Sequence, residues 1–350
     1  MLTPRSTALN PSRQPTAVPL ARTPLTLPRL ALTLLAITLL GVLALPARSV
    51  SAAVPVGASK AIAASPGCRQ TTAASTTAAS TTAPGTTVPG TTQTLTYQDG
   101  SVAGSFDLTV PRSYRPHRPT TLVFLFYGSG SNPAAFSTTT DFPALGAAQG
   151  DIVVVPQIQP NESEWQFSGH GSDAAFITAL DTHLQATYCI APRRVFAAGF
   201  SAGAAFSIIY GCSHQRDIRA ISTVAVDFQL GCTRPMPILA FHGTADPAVP
   251  YQNGAVGISL PGTKVRGTLL NMGDWAKLDR CRAVPVSVRA GSQLSRSQWP
   301  RCTRGTSVTL YTVLGGGHDW PGADPKYGFG LTTQQISASR LIVRFFSTLQ

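Results

Sequence analysis

Gly199-Phe200-Ser201-Ala202-Gly203 lies between two runs of different character. Before it stands an apolar strand pattern, Arg194-Val195-Phe196-Ala197-Ala198, and after it a helix-compatible run, Ala204-Ala205-Phe206-Ser207-Ile208-Ile209. A serine between two glycines at a strand-to-helix turn forms a tight elbow, because any larger residue at either glycine would meet neighbouring backbone. The turn lifts the serine Oγ above the edge of a sheet. It also aims the N-terminal N–H groups of the following helix at the same point. Five residues alone are a weak signal, so the weight falls on what the rest of the chain supplies.

A serine hydroxyl becomes a nucleophile only with a base beside it and a carboxylate to orient that base. After an elbow of this kind the acid comes next along the chain and the histidine last. Asp246 follows a buried-strand pattern, Pro237-Ile238-Leu239-Ala240-Phe241, through the polar turn His242-Gly243-Thr244-Ala245, which puts it on the same sheet edge as Ser201. His318 follows the strand pattern Ser307 to Val313 through Gly315-Gly316-Gly317. It precedes a final helix in which Ala338, Leu341, Ile342, Phe345 and Phe346 share one face at helical spacing. Asp227, at the end of the strand pattern Ile221 to Val226, is the alternative acid. His214 and Asp217 come too soon after the elbow helix and read as solvated loop residues, and His242 reads as a structural histidine.

The chemistry also requires two backbone N–H groups aimed at the oxygen that turns negative in a tetrahedral intermediate. One is expected from Ala202, directly after the nucleophile. The other is expected from Gly128 or Ser129, in the small-residue loop Tyr127 to Asn132 that ends the strand pattern Thr121 to Phe126.

Alternating strand and helix patterns imply a mostly parallel sheet with helices on both faces, and the serine elbow resembles that of the α/β-hydrolase fold. Phe106, Leu108 and Val110 alternate as an early antiparallel strand, Ile152 to Val155 form a buried one, and Phe176, Leu180 and Leu184 mark a helix face. Three segments together, Phe200 to Gly203, Phe241 to Pro247 and Gly316 to Gly322, resemble the secreted polyhydroxybutyrate depolymerase-like esterases. That group merges with the feruloyl and acetylxylan esterases of carbohydrate esterase family one. Tyr188-Cys189-Ile190, Trp165 followed by Asp173 and Phe176, and Trp275 shortly before Cys281 support the match, which runs from about Leu95 to the C-terminus.

The resemblance implies a serine carboxylic-ester hydrolase that works without a cofactor on an ester substrate, polymeric in character, and no metal is expected because the cysteines form no Cys-x-x-Cys pair. Polyhydroxyalkanoate, feruloyl-polysaccharide and acetyl-polysaccharide substrates all stay open. Two positions depart from the group: Tyr127 where a histidine is usual, and Ala204 where a second glycine is common. Neither removes an N–H donor, but both reshape the pocket. Tyr127 and Trp320, close to the expected oxyanion loop and base, are the candidate substrate contacts.

Residues 1–52 carry arginines and no acids around an apolar stretch, Leu30 to Leu45, followed by Pro46 and Val50-Ser51-Ala52. This predicts a signal peptide and a secreted protein with no stable membrane association after cleavage. Loss of the five arginines in this segment lowers the net charge from +12 to about +7. The remaining basic residues lack the aromatic interleaving of a nucleic-acid site. Residues 53–93 read as a low-complexity stalk, built mainly on a repeated five-residue Thr-Thr unit, ahead of a catalytic domain over 94–350. Six cysteines in an exported chain predict disulfides. Cys281 and Cys302 are expected to pair across an Arg-, Ser- and Gly-rich excursion, while Cys68, Cys189, Cys212 and Cys232 allow three connectivities. A peptidase on the same scaffold and an inactive wall-binding protein are the competing readings.

Overall fold

The computed structural model describes residues 63–69, 88–159, 162, 164–256, 264–323 and 328–349. All lie within one unit, Ser59–Gln350. The predicted signal peptide, 1–52, and most of the Thr-rich repeat fall outside the described residues.

The chain opens with a short 3-10 turn, Pro66–Arg69, followed by strands β1 (Thr92–Asp99), β2 (Val102–Thr109) and β3 (Thr120–Phe126). Helices α1 (Pro133–Thr140) and α2 (Phe142–Gln149) lead to β4 (Ile152–Pro156), α3 (Ser172–Thr187) and β5 (Ile190–Phe200). Then come α4 (Ala202–Ser213), β6 (Ala220–Val224), β7 (Ile238–Gly243) and the short pair β8 (Gly254–Ala255) and β9 (Lys264–Val265). The chain closes with α5 (Thr268–Leu278), β10 (Val286–Gly291), β11 (Leu294–Trp299), β12 (Val308–Val313) and α6 (Ala338–Ser347).

The strands form one sheet in the order β1-β2-β4-β3-β5-β6-β7-β12-β11-β10. The six strands from β4 to β12 in that order are parallel, and the two strands at each end are antiparallel. Right-handed crossovers decide which face each helix covers. The steps from β4 to β5 and from β5 to β6 run one way along the sheet and place α3 and α4 together. The step from β3 back to β4 runs the other way and puts α2 on the opposite face. This is the α/β-hydrolase fold that the sequence predicts.

Fully buried strands explain the unbroken apolar runs: every residue of β4, β6 and β7 is buried. Phe126 of β3 packs edge-on to Phe206 of α4, while Phe196 of β5 stacks on Phe346 of α6. In α6 the buried face is Ala338, Ser339, Ile342, Val343 and Phe346. Leu341 and Phe345 are only half-buried at its margin.

Two stretches differ from the sequence reading. The excursion between Cys281 and Cys302 folds as the hairpin β10–β11 and widens the sheet. Its outer strand is exposed on both faces, so Val286, Val288 and Ala290 alternate with Ser287 and Arg289 without marking a buried side. The second difference is the N-terminal boundary. Residues 63–69 are not part of a free stalk, because Cys68 is bonded to Cys189 and Ser65 N–H donates to the Ile190 carbonyl. Ser65 Oγ also donates to the Tyr188 carbonyl and accepts from Ile190 N–H.

Candidate active site

Parallel register brings the ends of β5, β6, β7 and β12 to one edge: Phe200 pairs with Val224, Val224 with Phe241, and Gly243 with Val313. Ser201 sits at the end of β5 with φ 53 and ψ −120, a conformation forced by the turn into α4. Close approach explains both flanking glycines. A Cβ at Gly203 would lie 2.2 Å from the Phe126 carbonyl oxygen, and one at Gly199 would lie 2.3 Å from that of Gly203.

His318 Nε2 stands 2.8 Å from Ser201 Oγ, and its Nδ1 stands 2.8 Å from Asp246 Oδ2. The second oxygen of Asp246 accepts N–H groups from Ala248 and Val249, each at 2.8 Å, so the carboxylate cannot rotate freely. Gly243 lets the acid loop meet the histidine loop, since a Cβ there would lie 2.3 Å from the Gly316 carbonyl oxygen. The loop Tyr127 to Asn132 reaches the same point: a Cβ at Gly128 would stand 3.2 Å from that of Ser201. Ala202 opens α4, where the first backbone N–H groups have no partner within the helix.

Asp227, the alternative acid, does not touch His318. Its Oδ2 lies 2.6 Å from His242 Nδ1 and its Oδ1 accepts from Asn271 Nδ2 at 2.7 Å. His242 is a residue of β7 rather than of the turn after it, so its ring enters the core behind Asp246, 3.5 Å from Oδ2. Sequence reading missed this link between the two aspartates; the signal was an acid at the end of each of two strands that turn out to be adjacent. His214 caps the far end of α4, near Asp217 and away from Ser201.

Both candidate substrate contacts are corrected. Tyr127 is fully buried, and its hydroxyl accepts from Gln157 Nε2 and Ile158 N–H. Burial pushes its pKa up to about 12. It ties the loop after β4 to the end of β3 and has no open face for a ligand. Trp320 is 1% exposed; its Nε1 donates to Ser339 Oγ, and its ring meets Phe136 and Phe142 edge-on. It braces the histidine loop against α1, α2 and α6.

One exposed aromatic does stand beside His318. Phe329 pairs with His318 across an antiparallel bridge, each N–H donating to the other's carbonyl. Residues directly opposite in such a pair direct their side chains to the same face. Phe329 is 58% exposed, so it offers an apolar surface on the side of the His318 ring.

Disulfides join Cys68 to Cys189, Cys212 to Cys232 and Cys281 to Cys302, which selects one of the three open connectivities.

The charges behind the site make stability depend on pH. Burial disfavours a charged His242, but the charge and hydrogen bond of Asp227, aided by Asp246, outweigh it and push the ring pKa up to about 10. Burial also works to raise the Asp246 pKa, yet the hydrogen bonds and charges of His242 and His318 hold it below the usual carboxylate range. Burial raises Asp151, Asp181 and Asp279 to about 6. The signs follow from linkage. His242 stabilises the fold fully below its unfolded value near 6.5 and loses that contribution as pH rises through about 10. The three raised carboxylates lose theirs between their ordinary value of 3.8 and about 6. Asp246 contributes above its ordinary value and loses that contribution as pH falls. Calorimetry is expected to give a higher Tm at pH 6 than at pH 9; a Tm rising across that interval contradicts the assignment.

No family model matches the sequence. The chain is 31% identical over 217 residues to feruloyl esterase B of Piromyces equi, covering 59% of this chain and 38% of that protein. It is 30% identical over 158 residues to a probable feruloyl esterase C of Aspergillus niger, covering 43% of this chain and 57% of that protein. The chain thus spans less than two thirds of either relative. Among solved structures, an acetyl xylan esterase from Aspergillus awamori superposes with a TM-score of 0.52 at 14% identity. The superposition covers 73% of this chain and 99% of that one, and it supports the fold. The relatives are of the group that the three sequence motifs resemble.

Proposed function

We propose that this protein is an exported serine carboxylic-ester hydrolase acting on aromatic or acetyl esters carried by polysaccharide. The observation that carries the reading is the hydrogen-bonded line Ser201 Oγ, His318, Asp246 at the C-terminal edge of the sheet. His318 Nε2 takes the Ser201 proton as Oγ attacks the ester carbonyl. Asp246 holds Nδ1–H and stabilises the imidazolium that forms. The N–H of Ala202, at the positive end of α4, and that of Gly128 or Ser129 face the oxyanion. His318 then protonates the departing alcohol, and a water activated by the same ring releases the acid from the acyl-enzyme. The feruloyl esterase relatives support the ester class, and cysteines paired in three disulfides suit export.

The test is a parallel assay of purified protein on methyl ferulate, acetylated xylan, p-nitrophenyl acetate and polyhydroxybutyrate, with Ser201→Ala as control. Turnover of the first three that disappears in the control supports the reading; turnover of polyhydroxybutyrate alone overturns the polysaccharide assignment. Two variants separate a substrate wall from a brace. Phe329→Ala is expected to raise KM for methyl ferulate roughly five- to tenfold while leaving p-nitrophenyl acetate little changed. Trp320→Ala is expected to impair all esters alike and to destabilise by about 3–5 kcal/mol, because it empties a packed aromatic site.

A further inference from the structure

We propose that His242 is a positioning residue, a fixed imidazolium between Asp227 and Asp246 that sets the charge His318 feels through Asp246. This rests on the serine-hydrolase reading and adds two residues to it. The line runs Asp227, His242, Asp246, His318, Ser201, with its first four members buried.

The protonation follows from the partners of each ring nitrogen. His242 Nε2 lies 2.9 Å from the Val249 carbonyl oxygen and 3.5 Å from Asp246 Oδ2. Neither offers a proton when Asp246 is ionised, so Nε2 carries the hydrogen. Nδ1 lies 2.6 Å from Asp227 Oδ2, whose partner oxygen already accepts from Asn271. With Asp227 in its ordinary ionised form both of its oxygens accept, and Nδ1 carries a hydrogen too. Thr268 Oγ1, 2.9 Å from Nδ1, is a hydroxyl that can accept as well. Tyr251 meets the ring edge-on and bonds to Thr312, adding no charge at neutral pH. Among the described residues, no lysine or arginine pairs with either aspartate.

The consequence is electrostatic. Two buried carboxylates without a cation would repel each other and would together raise the proton affinity of His318. With the imidazolium between them, the three groups carry a net charge of −1, which is what a lone orienting aspartate presents to its histidine. Asp246 stays ionised and held toward His318, and Asp227, which bonds His242 and not His318, acts on that ring by its charge alone.

The experiment compares pH profiles of kcat/KM for p-nitrophenyl acetate in wild type, His242→Gln and the double variant Asp227→Asn/His242→Gln. His242→Gln raises the local charge to −2. It is expected to lower kcat about tenfold with KM little changed, and to move the acid limb up by about one pH unit. The double variant restores −1 and is expected to return the limb to the wild-type position and recover most of kcat. A histidine that only fills space predicts the reverse, with the double variant at least as impaired as the single one. That result, or an unshifted limb in an active His242→Gln enzyme, overturns this proposal alone. A wild type that takes no fluorophosphonate label at Ser201 and hydrolyses no ester overturns both readings. Should His242→Gln fail to fold, imidazole nitrogen NMR on the wild type decides. One ring, identified by its proximity to Tyr251, is expected to keep both protons through pH 8; loss of one near pH 6.5, the ordinary histidine value, overturns the proposal.

Discussion

Ser201→Ala and His318→Ala are each expected to lose roughly four to six orders of magnitude in kcat, and the double variant little more. Non-additivity follows from the arrangement: without Oγ there is no proton for Nε2 to take, and without Nε2 the hydroxyl is not activated. Asp246→Asn is expected to cost about four orders, because an amide can donate to Nδ1 and so favour the wrong tautomer. Asp227→Asn is expected to cost far less, since its carboxylate meets His242 and not His318. Single-turnover kinetics with p-nitrophenyl acetate measures all four. A nearly silent Asp246→Asn beside an inactive Asp227→Asn would show that the acid has been misassigned.

Removing the Cys68–Cys189 bridge by paired Cys→Ser substitution is expected to destabilise the protein by about 4–5 kcal/mol, the effect of opening a loop of its size. That disulfide spans a sequence separation of 121, whereas the other two span 20 and 21 and are each expected to contribute about 3 kcal/mol. For a domain of this size the larger loss lowers Tm by about 10 °C. Activity at 25 °C is expected to persist, because Cys189 precedes β5 and Ser201 follows it, about 35 Å away along an eleven-residue strand. Thermal unfolding paired with an ester assay separates the two effects. A variant with unchanged Tm, or one folded but inactive, contradicts this account.

The convergence of Ser201, Asp246 and His318 was legible before any coordinates, because each follows a short apolar strand pattern, Ser201 directly and the other two through a small-residue turn. Parallel strands all end at one edge, so residues just beyond them converge without further information. The glycines are legible for the same reason: Gly203 and Gly243 stand where backbone meets backbone, and that requirement shows as residue type. The pairing of Cys281 with Cys302 rests on local spacing, and it holds.

What the sequence left open depends on which distant surfaces meet. Tyr127 and Trp320 neighbour Gly128 and His318 along the chain, but both side chains are buried in the core. Phe329, eleven residues beyond His318, comes to its side through a bridge that no local pattern announces. The docking of 63–69 and the remaining cysteine pairs are likewise long-range contacts between segments that carry no periodic mark. Local backbone chemistry and hydrophobic period therefore determined the fold and the meeting of Ser201, His318 and Asp246 from sequence alone. Tertiary packing decided which aromatic residues face solvent and how Asp227 and His242 stand behind Asp246, because both depend on side-chain direction and strand adjacency, to which sequence spacing is blind.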